Sequence, residues 1–509
     1  MMVPRLTQLL VVYLGGFSGL PGTFAADVSV PTSSGPVEGH LAANTTGVLE
    51  FLGIPYAAPP VANLRFQPPA PYKGKEVING TDFGFICMQV DMFAGAPTQK
   101  GKLEGRALPI TPAGYALLQE YFTGIPPISE DCLTLNVWAK GDTGGDKKAV
   151  MIWIHGGGFT SGSSAVPFYS GKYLAEQDDV IVVSLNYRLN IFGFPGAESF
   201  PSNNLGLLDQ RLAIEWVRDN IANFGGDPDR IILFGQSAGG SSVGYQSYGW
   251  ASDPVVQGYI LESAVSLDAN SKEQAQELWA NATRLANCSD GSGDSEAADS
   301  CMRLDVSATD LLAISRQLYF GPTVDGCVVF DDYETRRPAD KPVIVGHNDY
   351  EPGLTKVLAP PLPEIIWQQQ ELAFGCAAAE RAAYFALNGL PTWRYRWFGD
   401  WTNLRLTENP TSGAWHGSEI LPIFNTIPQN VAVNTPEETS IANYIRGAWV
   451  AFAKDSVNGL RTYGSGWPQY STNGDTLVRL AFNNVTGTNL VAGNTYDIGC
   501  PPYPVVPSL

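Results

Sequence analysis

Three short stretches of the chain are apolar almost without interruption: Val150-Met-Ile-Trp-Ile154, Val180-Ile-Val-Val-Ser-Leu185 and, after one arginine, Ile231-Ile-Leu-Phe234. Runs of this length, bounded by Gly and Asp, predict strands buried on both faces, as in a parallel sheet covered by helices. Between the second and third runs, Leu205, Leu208, Leu212 and Trp216 recur three or four residues apart, which predicts a helix over 205–224 with one apolar stripe. Another helix is predicted from Pro436. Thr435 and Glu438 have the spacing of a capping box, Pro436 takes the first helical position, and Ile441, Ile445, Ala448, Trp449 and Phe452 form the stripe. Segments 342–345 and 392–397 also read as strands. The alternation predicts an α/β fold with a mostly parallel central sheet flanked by helices. Stretches 88–131 and 286–300 carry no such period and read as long surface excursions. No internal repeat or long linker divides the chain, so 26–509 is expected to form a single domain.

Composition narrows the possibilities. With 509 residues, 44% hydrophobic and 16% charged, the chain can bury a large core. A net charge of −19 argues against a nucleic-acid partner and against anionic membrane surfaces, both of which demand clustered Lys and Arg. Only His40, His155, His347 and His416 are available, without any H-E-x-x-H, so no catalytic zinc is expected.

Residues 1–25 read as a secretory signal peptide. Arg5 precedes an apolar stretch from Leu9 to Leu14, with Phe17 and Leu20 beyond it, and Thr23-Phe24-Ala25 offers a cleavage site. Gly15, Gly16, Gly19 and Pro21 interrupt the stretch, leaving it short of the roughly 20 apolar residues of a transmembrane helix. No later segment qualifies, so a secreted protein is expected. Sequons at Asn44, Asn79, Asn281, Asn287 and Asn484 fit glycosylation along that route, whereas Pro410 blocks Asn409. Seven cysteines in an oxidising compartment imply disulfides and one odd thiol, with pairings that the sequence alone does not fix.

The sharpest chemical signal is Gly235-Gln236-Ser237-Ala238-Gly239, directly after one predicted strand and before a helix-compatible stretch. This is the context of a nucleophile elbow, in which small neighbours allow a tight strand-to-helix turn that presents the serine hydroxyl. Gly240-Ser241-Ser242-Val243-Gly244 fits the same pattern but should lie inside the following helix. A serine hydroxyl is a weak nucleophile and needs a base and donors for the developing oxyanion. His155-Gly156-Gly157-Gly158-Phe159, directly after the strand at 150–154, can curl so that its N–H groups converge on one oxygen. Neither phosphate-loop pattern occurs. In the strand-order logic of this elbow the acid follows the serine and the histidine comes last. His347 and His416 alone follow Ser237, and His416, in a Gly-flanked loop, keeps that order with either Asp349 or Glu351 as acid.

The constellation resembles the type-B carboxylesterases, the family that includes cholinesterases and yeast-type lipases. The resemblance rests on Phe224-Gly225-Gly226, then Ile231 through Gly239, and on Glu130-Asp131-Cys132-Leu-Thr-Leu-Asn-Val-Trp138, with Asn186-Tyr-Arg188 and 204–213 also similar. The 393–416 region is most similar to secreted fungal members. The resemblance implies an α/β-hydrolase fold with Ser237 as nucleophile, His416 as base and Glu351, five residues after Gly346, as the acid in preference to Asp349. It implies oxyanion donors at Gly157, Gly158 and Ala238, and disulfides Cys87–Cys132 and Cys288–Cys301. Asp209, Arg188 and Glu419 are expected to be structural, and no cofactor or metal is implied.

Some positions depart from the family pattern: Lys140 stands where Pro is common, and Pro352 separates Glu351 from Gly353. The stretch between Cys87 and Cys132 has no tryptophan, so a choline ester is not expected. The expectation is a secreted serine carboxylic-ester hydrolase acting through an acyl-enzyme on a small-molecule or lipid ester. An interfacial lipase with 88–131 as lid, or a narrow-substrate esterase or acyl-transfer enzyme of a biosynthetic pathway, are the alternatives. The intact Ser, Glu and His argue against a non-catalytic adhesion-type relative. Nothing in the sequence speaks to oligomeric state.

Overall fold

The computed structural model describes residues 28–507 except 90–108, 122, 142–144, 266, 268, 290–294, 360 and 430–431. The leader expected at 1–25 and much of the 88–131 excursion therefore lie outside the described residues. Its central sheet contains β1 (Val28–Val30), β2 (Val37–Leu41), β3 (Val48–Pro55), β4 (Thr134–Lys140), β5 (Lys148–Ile154), β6 (Ile181–Leu185), β7 (Gly226–Gln236), β8 (Gly258–Glu262), β9 (Val343–Asn348), β10 (Thr392–Trp397), β11 (Asp475–Leu480) and β12 (Val491–Ala492). The spatial order is β1-β2-β3-β4-β6-β5-β7-β8-β9-β10-β11-β12, with Ile78–Asn79 alongside β2. From β6 to β11 every pairing is parallel, and the antiparallel pairs lie towards the two edges. The mostly parallel sheet is as expected.

The apolar runs are buried because two cores sandwich the sheet. Val150, Ile152, Ile154, Ile231 and Leu233 face one, and Met151, Trp153, Ile232 and Phe234 face the other. This is the two-residue alternation of a strand with both faces covered.

The helices that matter for the site are α1 (Pro112–Tyr121), α2 (Leu205–Asn220), α3 (Ala238–Gly249), α4 (Pro352–Leu358), α5 (Glu364–Leu387) and α6 (Pro436–Lys454). In α6 the Thr435–Glu438 capping box forms, and Ile441, Ile445, Ala448, Trp449 and Phe452 are all buried. Of the apolar stripe expected on α2, Leu205 and Trp216 are buried, but the inner face extends beyond it. Leu208 and Leu212 are only half-buried, while Asp209, Gln210, Ala213, Ile214 and Val217 face inward. The reason is polar. Asp209 binds Arg188 through both oxygens at 2.7 and 2.8 Å, and Gln210 donates to Ser242 at 2.9 Å, so satisfied polar groups occupy the inner face. That ion pair is structural, as anticipated. The helix also ends four residues early, in a 3-10 turn at Ile221–Phe224.

The described parts of the two excursions include helices. Within 88–131, α1 packs against the site, and within 286–300 a helix starts at Ser295 and runs to Leu304. Cys87–Cys132 and Cys288–Cys301 are bonded, Cys376–Cys500 ties α5 to the C-terminal tail, and Cys327 is free and exposed. Asn44, Asn79, Asn287 and Asn484 are exposed; Asn281 is half-buried on the helix Lys272–Leu285, where its carbonyl takes the Arg284 guanidinium.

Candidate active site

The chemistry-bearing residues gather beyond the C-terminal ends of the parallel strands, where open α/β sheets bind ligands. Ser237 immediately follows β7 and precedes α3. Its φ of 59° and ψ of −125° lie outside the regions ordinary residues occupy, the backbone signature of the elbow. Space forces Gly239: a Cβ there would sit 2.0 Å from the Ile154 carbonyl oxygen. The Ser237 N–H bonds the Glu262 carbonyl at 2.9 Å, and its own carbonyl accepts from Ser241, starting α3. The second G-x-S-x-G copy lies inside α3, as expected of a chance match.

The glycine loop after β5 stands opposite. Gly157 (φ 112°) and Gly158 (φ 61°) line the same cavity as Ser237, and Ala238 opens α3 beside it. Three groups outside the loop hold it. Tyr319 donates its hydroxyl to the Gly158 carbonyl at 3.1 Å, Gln89 exchanges two hydrogen bonds with Gly162, and Tyr187 donates to the His155 carbonyl at 3.0 Å. His155 itself is buried, stacks on Tyr187 and is lowered to about 4 by burial, so it is a neutral scaffold residue.

Opposite the serine, His416 Nδ1 lies 2.5 Å from Glu351 Oε2. Burial alone would lower the imidazole pKa, but the adjacent Glu351 carboxylate outweighs it and holds His416 above its ordinary value. With Nδ1 protonated toward the carboxylate, Nε2 is an acceptor, and the Gln236 amide fills it at 3.0 Å. Ser237 and His416 share one cavity without a hydrogen bond between them; the contact at His416 Nε2 is with Gln236. Phe374 packs on the imidazole, ring centroids 4.8 Å apart.

Glu351 is fully buried, and its Oε1 takes the Asn348 N–H at 2.8 Å. Asp349 points elsewhere, into an ion pair with Arg396 at 2.8 Å. His347 is fully buried with both ring nitrogens unpartnered, and burial beside Arg396 and Arg394 pushes it well below its ordinary pKa. Of the two later histidines, His416 reaches a carboxylate and His347 does not. Glu419 lies behind the pair, hydrogen-bonded to the Asn348 amide and pushed up to about 7 by burial and by Glu351. Glu371, on α5, is pushed up to about 8 by burial and by the same carboxylate.

The cavity measures about 270 Å³. Leu117 and Leu118 of α1, Phe168, Leu358, Phe374 and Trp415 supply much of its wall, and no Asp, Glu, Lys or Arg lines it among the described residues. No group of three or more His, Cys, Asp or Glu among the described residues could hold a metal ion, and no helix among them is long and apolar enough to cross a membrane. Sequence reasoning missed Gln236 as a neighbour of His416, although it lies inside the elbow pentapeptide. It also missed Tyr319, Glu371 and Phe374, whose roles arise from contacts between distant segments.

An elbow serine at the end of a mostly parallel sheet, facing a glycine loop and an imidazole–carboxylate pair, defines an α/β-hydrolase of the carboxylesterase-type serine hydrolases. Comparison with known proteins agrees: the Carboxylesterase family profile matches residues 26–363, and the chain belongs to that family. It is 33% identical to a chlorogenic acid esterase of Aspergillus niger, covering 89% of this chain and 88% of that protein. It is 32% identical to secreted lipase 5 of Gibberella zeae, over 91% and 92% of the two chains. Among solved structures, a PNB esterase superposes with a TM-score of 0.72 at 28% identity, over 91% of this chain and 96% of that one. The chain is therefore a serine ester hydrolase.

Proposed function

We propose that this ester hydrolase acts on neutral, largely apolar carboxylic esters through an acyl-enzyme, with Ser237 as nucleophile, His416 as general base and then acid, and Glu351 as the third member. The observation that carries the reading is the 2.5 Å Glu351–His416 pair, whose imidazole lines one largely apolar cavity together with Ser237. When an ester enters, Ser237 Oγ takes the place of the Gln236 amide at His416 Nε2 and gives up its proton there as Oγ attacks the carbonyl carbon. The oxyanion is held by the N–H groups of Gly157, Gly158 and Ala238, at roughly 3 kcal/mol per donor. Glu351 stabilises the imidazolium and fixes its ring. His416 then returns the proton to the departing alkoxide, and a water deprotonated by His416 releases the acid from Ser237.

Secretion is part of the reading. The 1–25 leader, the sequons, the disulfides and the likeness to a secreted lipase support an extracellular protein, with 26–509 as its single domain. A lipase is the second reading, because Leu117 and Leu118 bring a helix of the 88–131 excursion into the cavity wall.

A p-nitrophenyl ester series from acetate to palmitate, in solution and as emulsion, tests both. Activity highest on short soluble esters, with a fluorophosphonate label recovered on Ser237, supports a fixed-pocket esterase. A jump in rate on emulsified long chains supports the lipase. Silence on every ester, or a label elsewhere, overturns the reading.

A further inference from the structure

The acid turn carries an unusual combination. Glu351 has φ −51° and ψ −42°, helical values, although Pro352 follows it directly. Proline's Cδ disfavours helical values at the preceding residue and steers it towards an extended conformation. An extended Glu351 would swing its carboxylate away from His416. Pro352 also has no N–H; at the start of α4 the Gly353 N–H closes the turn locally onto the Tyr350 carbonyl at 3.0 Å, and the Glu351 amide is the donor that ties the turn to another element. That amide donates to Glu371 Oε2 at 2.8 Å, a side chain of α5 twenty residues further on.

The other carboxylate oxygen of Glu371 accepts from Arg396 Nη2 at 3.1 Å, and Arg396 Nε in turn binds Asp349 Oδ1 at 2.8 Å. Arg396, on β10, thus bridges the residue two before Glu351 and the side chain that receives Glu351's own N–H. Placing Glu371 close to Glu351 sets two carboxylates against each other in a buried region, an arrangement that costs stability unless other contacts offset it.

We propose that Glu371 is a positioning residue for the ester hydrolysis: its carboxylate, oriented by Arg396, holds Glu351 in the helical conformation that aims its side chain at His416 Nδ1. The inference rests on the Ser237–His416–Glu351 reading above. What matters in it is the reach of an acceptor to the Glu351 N–H, more than the charge that acceptor bears.

The test is steady-state kinetics on a short soluble ester with the full secreted protein. Glu371→Leu, which has no acceptor, should lower kcat by about 30- to 100-fold with KM changed less than about twofold, the pattern of lost transition-state stabilisation. Glu371→Gln, which keeps the reach and an acceptor oxygen without an ionisable proton, should retain at least about a third of kcat; Glu371→Asp, which keeps the carboxyl group and shortens the reach, should lose about tenfold. In a Pro352→Ala background the conformational bias is gone, so Glu371→Leu should then cost less than about fivefold. Should Glu371→Leu not fold, the ranking of Gln over Asp decides. Equal losses in the two backgrounds, or Asp outperforming Gln, would assign Glu371 to general scaffolding and overturn the proposal. Glu351→Gln is run alongside. If it keeps full activity, the triad reading fails and this proposal falls with it; if it is inactive while Glu371→Leu is unimpaired, the proposal alone fails.

Discussion

On one side of the catalytic cavity, around Ser237 and the glycines after β5, positions are set by backbone: a positive φ at Ser237, glycines with no room for a Cβ, and strand ends locked in register. On the other side, around Glu351 and His416, positions are set by side chains that meet from β9, β10, α4, α5 and the 412–420 loop through buried charges. The first side is preorganised by local sequence and is intolerant of added atoms. The second depends on long-range partners and is intolerant of losing them. Each should therefore break in its own way.

The largest expected effect is at Ser237, the proposed nucleophile. Ser237→Ala should lower kcat/KM by at least about a thousandfold while leaving the unfolding temperature near that of the parent, because the elbow is held by its neighbours. Residual activity well above that level would place the nucleophile elsewhere. The acid–base side gives the next effect. Glu351→Gln should cost on the order of a thousandfold or more in kcat, since a neutral amide cannot stabilise the imidazolium, whereas Asp349→Asn should cost about tenfold or less through its Arg396 pair. The reverse ranking would move the acid to Asp349.

Gly157→Ala probes the backbone side directly. A Cβ at Gly157 would lie 2.1 Å from the Ser161 carbonyl oxygen at a φ of 112°, so the loop must shift. The expected loss is about a hundredfold in kcat, with the affinity for a trifluoromethyl ketone falling in parallel because both depend on the oxyanion donors. A variant with normal inhibitor affinity would remove Gly157 from the oxyanion site.

How much of this was legible in the sequence follows the same division. Ser237, the glycine loop and the apolar strands were readable because their signals are contiguous: a run of buried residues, then a turn that admits little but glycine. His416 was reached through chain order among four histidines, and Glu351 by a spacing from Gly346 that belongs to the family resemblance; local sequence left Asp349 open. What separates the two carboxylates in space is Arg396, 45 or more residues away in sequence, which captures Asp349 and leaves Glu351 to the imidazole. Gln236, Glu371 and Phe374 were illegible for the same reason. The stripe on α2 was read only in part, with Leu205 and Trp216 buried, because a hydrophobic pattern does not count a satisfied Asp209–Arg188 pair as core.

A smaller effect concerns the point where the two sides touch, the Gln236–His416 contact at 3.0 Å. Gln236→Glu sets a carboxylate beside Nε2. Negative charge favours the protonated imidazole, so the His416 pKa rises further and the base form is reached only at higher pH. The acid limb of kcat/KM should move upward by about one pH unit, with the high-pH plateau reduced less than about tenfold. A limb that does not move would show that Gln236 does not share the proton site with Ser237.

The smallest effect separates the two histidines that follow Ser237. His347 is held neutral, with its folded pKa far below the unfolded value of about 6.5. The unfolded chain therefore binds a proton that the folded chain refuses, and stability is lost as pH falls below about 6.5. His347→Leu removes that proton uptake and two unpartnered ring nitrogens together. Activity on a short ester should stay within about twofold, because His347 reaches no carboxylate of the site. The fall in unfolding temperature between pH 7 and pH 5 should shrink by about 1 to 3 °C relative to the parent. His416, whose pKa is raised by Glu351, carries the opposite sign: it favours the folded state at low pH and loses that contribution as pH rises through its folded pKa. A thermal scan of His347→Leu that parallels the parent at every pH would mean that the unpartnered ring costs the fold nothing. A collapse of activity would mean that His347, and with it β9, supports the acid turn more directly than its contacts indicate.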